Sequence, residues 1–490
     1  MTDLLLIHGT VVTMDASRRI LEDGAVAIAG DRIVAVGPTA ELERTHPAAR
    51  TVDCRGRAML PGLIDAHGHA GHSLIKTIGS DTPSLWMRIA TPAYFHYVTP
   101  HFWYVDGLVS ALERLRAGVT TGVSVIASMP RSDDPAFGNN HAKAYAEVGL
   151  REVVAVGPCH PPWPHPVSWW VDGQRVDKLV TFDEAMAGTE AVIETWHHGA
   201  DGRIRVFVTP FTIVTSVDPS NPTTPDLATG LTEHDRLQSR RVRELAAKHQ
   251  TRIHSDAFGG MVRIARQDDN ALLGPDVHLQ HCRGISLEEV RVLAETGTHV
   301  THAPSQSQAI ARCPVPELIE AGVNVAVTTD GTSPKTSFDL FQAARKTQLV
   351  HQMLSRDMYL FPVGKLLEMI TIDAAKALGW DDEIGSLEVG KKADVAVVNL
   401  RAPHLVPNLM VVHRLIYEAV GADVETVIVD GRIVMEGRVV KTIDEAAALD
   451  EGDAEARRTI ARAGLASHVT EPGWGKLRLE FDTPVKLPQA

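Results

Sequence analysis

Five histidines and an aspartate stand where the chain's apolar runs stop, and together they offer what a hydrolytic metal centre needs. Asp65-Ala66-His67-Gly68-His69 ends the first such run, and strand alternation puts His67 and His69 on one face. His254-Ser255-Asp256 has the same period-two spacing, and His281-Cys282, His302-Ala303-Pro304 and Thr328-Thr329-Asp330-Gly331 close three further runs. Imidazole nitrogens with a carboxylate oxygen suit a borderline divalent ion such as zinc, with one open position for water. Such an ion lowers the pKa of its water from about 15.7 toward about 7, which supplies hydroxide at neutral pH. A nearby carboxylate takes the proton, and a histidine polarises the carbonyl or imine under attack. Any one of these histidines alone reads more readily as a core or loop residue. The joint pattern is what points to a metal.

Eight strand-like runs carry these residues: Met59–His69, Val119–Ile126, Val153–Gly157, Ile204–Thr209, Arg252–Ala257, Val277–Cys282, His299–Pro304 and Val323–Asp330. Helix-period segments such as Val105–Ala117, Glu233–His249, Ser286–Thr296 and Pro316–Ala321 separate most of them. Eight alternations predict an α/β fold, a (β/α)8 barrel whose active site lies at the C-terminal strand ends. A doubly wound sheet would carry a Gly-x-Gly-x-x-Gly turn, which is absent. Short strands with tight turns also open the chain (Leu4–Ile7, Val11–Met14, Ala25–Ala29, Ile33–Val36) and recur near its end (Asp394–Asn399, Val424–Val429, Ile433–Met435). The expected organisation is a small β-sandwich built from 1–57 and 385–450, a barrel over 58–384, and a C-terminal helix and tail over 451–490.

Length and composition agree with a globular enzyme. The 490 residues are about three domains' worth of chain, and 44% hydrophobic with 22% charged residues is ordinary for a folded protein. A net charge of −13 has the wrong sign for tracking phosphates, so no nucleic-acid partner is expected. No apolar run reaches the ~20 residues of a membrane span, and the first residues lack a basic n-region. Cys54, Cys159, Cys282 and Cys313 are scattered without knuckle spacing, which reads as reduced cytoplasmic thiols.

The run Leu60-Pro61-Gly62-Leu63-Ile64-Asp65-Ala66-His67-Gly68-His69 carries a resemblance, with His281-Cys282, His302 before Pro304-Ser305, and Thr329-Asp330-Gly331 following in order. Pro314–Leu318 and Gly385–Asp394 add to it. From about 4 to 450 the chain resembles the amidohydrolase superfamily, in the branch holding atrazine chlorohydrolase, guanine deaminase and S-adenosylhomocysteine deaminase. The resemblance implies a distorted TIM barrel with a small β-sandwich. It also implies His67, His69, His254 and Asp330 as ligands of one divalent ion, zinc first, with iron, cobalt or manganese as alternatives. His281 would sit beside the bound water or substrate, and His302 would face the same mouth.

Two departures bear on substrate. Deaminases of that branch place an acid/base glutamate three residues after the strand-five histidine, where this chain has Ala257. Asp256 lies on the same strand face as His254, and three roles are open to it: replacement acid/base, further ligand, or structural anchor. If it does not act, Asp330 is the remaining base. Binuclear relatives carry a lysine on strand four, and Ile204–Thr215 has none, which favours one metal. Nor does strand four hold the histidine usual in purine-processing members, because Thr209-Pro210-Phe211-Thr212 stands there.

Five of the eight tryptophans, Trp86, Trp103, Trp163, Trp169 and Trp170, fall in two strand-end loops. They fit an apolar or aromatic ligand and equally loop packing or a subunit interface. His72 and Lys76 follow the metal motif and, with Trp86 and Trp103, are candidate substrate contacts. The expectation is a cytoplasmic, homo-oligomeric hydrolase with a small-molecule substrate and no membrane partner. Metal-activated hydroxide would cleave an amide, urea or carbamate C–N bond in a rather apolar molecule, with Asp330, His281, Asp256 and His302 as the catalytic candidates. The alternatives are a deaminase or dechlorinase of a heteroaromatic ring and, in another class, a non-catalytic scaffold of the same fold.

Overall fold

The computed structural model describes residues 2–80, 83–218, 221–269, 271–305, 308, 311–334, 336–468 and 473–475; side chains of 83–88, 218 and 221–223 lie outside that description. Eight parallel strands form a nearly closed barrel: β1 (Leu63–Asp65), β2 (Val119–Ile126), β3 (Arg151–Val156), β4 (Ile204–Val208), β5 (Ile253–Phe258), β6 (Val277–Arg283), β7 (His299–His302) and β8 (Val325–Val327). They pair in sequence order, and the short His69–Ala70 segment continues β1 along β2. β2 and β3 are buried at every residue, as apolar strands covered on both faces must be. Thr181, Thr232 and Ser286 start crossover helices Phe182–Trp196, Glu233–Lys248 and Leu287–Thr296 with reciprocal capping boxes, which satisfy the first free N–H groups.

A nine-stranded, largely antiparallel sheet gathers both ends of the chain. Thr2–Val12 bends at His8, whose φ is +61°, so its first half pairs with Ala48–Asp53 and its second with Arg57–Pro61. Arg57–Pro61 also pairs antiparallel with Val395–Asn399. The single strand expected over Met59–His69 is therefore two strands in two sheets, divided at Gly62. A Cβ at Gly62 would lie 2.1 Å from Thr120 Oγ1, so only glycine lets the chain cross there. Arg151, at the start of β3, joins the two sheets through a buried pair with Asp394 (2.6 and 3.0 Å) and a further contact to Asp430.

The barrel seam has its own chemistry. Among the described residues no ladder joins β1 to β8. Instead Thr329 donates to Asp65 from its backbone N–H (3.0 Å) and its hydroxyl (2.7 Å), and the Asp330 N–H donates to the His67 carbonyl (3.2 Å). Arg114 holds Asp65 from the other side at 3.0 Å, and both side chains are fully buried. The guanidinium also donates to Ser124 Oγ, the Val123 carbonyl and Tyr145 Oη. It fills the space beside Gly68 and Gly122, where an added Cβ would come within 2.4 and 2.5 Å of it. The glycine between the two motif histidines is thus required by a neighbour 46 residues away. Among the described residues, no helix is long and apolar enough to cross a membrane.

Candidate metal centre

The seam brings His67, His69 and Asp330 together at the C-terminal mouth of the barrel. Asp330 Oδ1 lies 3.2 Å from His69 Nε2 and 3.4 Å from His67 Nε2. Ligands bonded to zinc at 2.0–2.1 Å in a tetrahedron would stand about 3.3 Å apart, so these separations fit an ion. The histidine tautomers fit as well. His69 Nδ1 faces the Ala127 carbonyl at 2.7 Å and His254 Nδ1 faces the His278 carbonyl at 3.2 Å. A carbonyl only accepts, so each Nδ1 carries the proton and each Nε2 keeps its lone pair. His67 Nε2 is buried with no hydrogen-bond partner among the described residues. The donor set present therefore suits a divalent metal.

His254 reaches this set through His67, whose Nδ1 is 2.8 Å from His254 Nε2. His67, Asp256 and His281 form an overlapping group of possible ligands. Burial, with His278 and His67 adding to it, holds His254 well below the ordinary histidine pKa. Burial would raise the Asp330 carboxyl, but the His67 and His69 nitrogens beside it hold it well below the usual range.

Asp256 sits across the mouth. Its Oδ2 is 3.6 Å from His281 Nε2, and its carboxylate accepts no hydrogen bond from any described residue. With His69, Val125, Ser128, Pro130, Thr209, Phe211 and His254 it lines one narrow cavity. Ala257 points away from this cavity by strand alternation and is fully buried. Burial pushes the Asp256 carboxyl up to about 7, and burial pushes the His281 imidazole down to about 3.

His281 reaches the mouth by an irregularity. β6 pairs in register with β5 up to Ala257–His281 and then slips, so that Phe258 faces Arg283. His281 and Cys282 both have positive φ, +71° and +44°. Such left-handed conformations cost free energy in non-glycine residues and collect at functional sites; Asp330 (φ +63°) and Ala127 (φ +80°) share the feature on the same rim. Without the bulge, the alternation that turns His278 toward His254 would turn His281 away.

The other candidates divide. His302 is buried, its Nε2 3.2 Å from His351 Nε2 on helix Leu340–Ser355, so it has a partner of its own. His72 is stacked between His69 (4.8 Å, 9°) and Tyr94 (5.7 Å, 5°) and braces the metal motif. Two of the proposed substrate contacts are engaged elsewhere in the fold. Lys76 is ion-paired to Glu113 on helix Pro100–Arg116, which already compensates its charge. Trp103 is fully buried against Tyr94, Phe102 and Phe137, a core residue whose apolar surface is already covered. The Trp86 side chain lies outside the described residues. Trp169 and Trp170 pin the hairpin His165–Val180 in place, donating to Asp133 (2.7 Å) and to the His96 carbonyl (2.9 Å), which is the loop-packing alternative.

Sequence reasoning missed five contributors. His278 stacks on His254 (4.1 Å, 15°), His351 backs His302, and Asp65 with Arg114 closes the seam. Asp106 accepts the N–H groups of Gly71 (2.6 Å) and Ser73 (3.0 Å), which fixes the loop that carries His72. Only Asp65, inside the motif, had a local signal.

Residues 58–434 match the Amidohydrolase family, and residues 24–49 match an imidazolonepropionase-like composite domain of bacteria. The 5-methylthioadenosine/S-adenosylhomocysteine deaminase of Syntrophobacter fumaroxidans is 31% identical over 457 residues, spanning 90% of this chain and 95% of that one. The 5'-deoxyadenosine deaminase of Methanosarcina mazei is 28% identical over 467 residues, spanning 94% and 99%. An adenosine deaminase of Xanthomonas campestris with bound zinc superposes with a TM-score of 0.80 at 26% identity, covering 95% of this chain and 99% of that one. Atrazine chlorohydrolase of Arthrobacter aurescens, complexed with zinc, shares the fold at a TM-score of 0.74 and 23% identity, over 92% of this chain and 100% of that one.

Proposed function

The chain belongs to the amidohydrolase family and is a hydrolase of carbon–nitrogen bonds, and on that premise we propose that it deaminates an aminated heteroaromatic ring with one zinc ion per chain. The observation that carries this reading is Asp256, a carboxylate that accepts no hydrogen bond from the described residues, facing the metal donors beside His281. The missing acid/base glutamate speaks for an amide or urea substrate. Asp256 removes that reason, and the deaminases among the relatives favour the ring.

His67, His69, His254 and Asp330 would hold the ion. When bound, the ion supplies a water acidified toward a pKa of about 7 and polarises the carbon under attack. Asp256 takes the proton of the attacking water and passes it to the departing amine nitrogen, so that ammonia leaves. Neutral His281 orients that carboxylate and the substrate. Phe211 and Thr209 shape the wall against which the ring lies.

A panel of aminated heterocycles, ureas, carbamates and amides tests the reading: ammonia with retention of the ring supports it, and an amine and acid fragment pair overturns it. Stripping the metal with a chelator should abolish turnover and lower the melting temperature, because an ion present at 1,000 times its Kd stabilises the fold by about 4 kcal/mol. Zinc added back should restore both. Turnover that survives complete metal removal would sink the metal assignment.

The same reading includes self-association. Leu349, Met353, Met358, Tyr359, Leu409 and Met410 are exposed, and Gln352 and Gln348 tie their segments together by bonds to the Met358 carbonyl (2.9 Å) and Tyr417 Oη (3.4 Å). Covering these six side chains would remove on the order of 800 Å² from water, one partner's share of a standard interface. A second copy of the chain is the proposed occupant. Light scattering should give a dimer or larger, and Met353→Glu with Met410→Glu should give a monomer; a wild type that scatters as a monomer at micromolar concentration contradicts this.

A further inference from the structure

Arg283, the last residue of β6, is the one arginine of the described residues that is not fully exposed and yet makes no hydrogen bond or ion pair. Every other described arginine without such a bond, among them Arg240, Arg263 and Arg291, is exposed. The fully buried arginines Arg114, Arg131 and Arg151 each bind a carboxylate and further acceptors. Arg283 is half-buried, and its Nε is shut off from solvent without an acceptor. The side chain lies over the Phe258 ring, 5.2 Å from its centre, and His281 stacks on the same ring at 5.4 Å. Phe258 follows Asp256 by two residues along β5, so this guanidinium and His281 meet on one ring next to the reacting groups. Burial works against its charge, which the Asp330 and Asp256 carboxylates across the mouth support without touching it. A guanidinium keeps its proton, presents five N–H donors in a planar fork, and is costly to leave half-desolvated with none of them used.

We propose that Arg283 is the specificity residue that binds a carboxylate carried by the substrate. This rests on the deaminase reading above and refines it: the substrate is an aminated aromatic ring with an anionic end. That end is held at Arg283, beside Phe258, while the carbon that loses its amine faces Asp256. The forked donors match two carboxylate oxygens, and bidentate pairing would also fix which ring edge faces Asp256.

Binding decides the matter without turnover. Benzoate and its neutral isostere benzamide would be titrated calorimetrically into the zinc-loaded wild type, Arg283→Gln and Arg283→Lys, with metal content measured for each. Any benzoate binding at the metal is common to all three proteins. The expected result is a benzoate-to-benzamide affinity ratio that falls about 10- to 100-fold in Arg283→Gln, the scale of a lost charge-assisted pair, and falls less in Arg283→Lys. A ratio unchanged within about twofold, or a wild type with no preference for benzoate, overturns the proposal; the glutamine variant gives way to the lysine variant if it fails to retain metal. Failure of the deaminase reading is a separate result, the absence of ammonia from every ring in the panel.

Discussion

Asp256→Asn should keep its metal and lose turnover by about 10²–10⁴, the usual contribution of a positioned general acid/base. Three roles were open to this residue, and the geometry bears on each. A structural anchor would be saturated, as Asp65, Asp106 and Asp235 are, whereas the Asp256 carboxylate accepts no hydrogen bond from the described residues. A further ligand would join His67, His69 and Asp330, whereas Asp256 shares only His67 with that group and stands beside His281. The proposed acid/base role fits a carboxylate that lines the cavity beside the metal donors. Metal analysis beside steady-state kinetics checks this, and Asp256→Glu should recover part of the rate. An active Asp256→Asn enzyme would move the proton chemistry to Asp330. Loss of the metal in the same variant would make Asp256 a ligand.

The second large effect concerns the barrel seam. Asp65→Ala should destabilise the fold by about 3–5 kcal/mol, because Arg114 would be left as a buried charge without its partner. It should weaken metal binding too, since Asp65 ties the strand that carries His67 and His69 to the one that delivers Asp330. The double variant Asp65→Leu/Arg114→Met removes both charges and should recover much of the stability, while metal affinity stays low because Thr329 loses its acceptor. Denaturant unfolding and zinc titration on the three proteins separate the two effects. If the double variant is as unstable as the sum of its parts, the pair is not acting through its mutual charge.

Much of the site was legible in the chain because its logic is local. Alternation along a strand has a period of two, so His67 with His69, and His254 with Asp256, could be assigned to shared faces from spacing alone. Apolar runs buried on both sides announced the barrel strands, and β2 has the limits its residues suggested. The small sheet assembled from both ends was readable for the same reason.

What the chain could not announce depends on partners distant in sequence. Gly62 divides one apolar run between two sheets because Thr120 occupies the space beside it. Simple alternation would carry His281 away from the site, and a bulge with two left-handed residues brings it back. Lys76 and Trp103, both plausible contacts by position, are taken up by Glu113 and by the aromatic core. His351 and Arg114 reach the centre from helices whose patterns say nothing of a metal. Residue types and strand period therefore determined which donors the protein has. Only the three-dimensional packing decided which of them meet, because a buried charge or ring goes where a partner compensates its desolvation, and that partner is set by the fold rather than by neighbours in the chain.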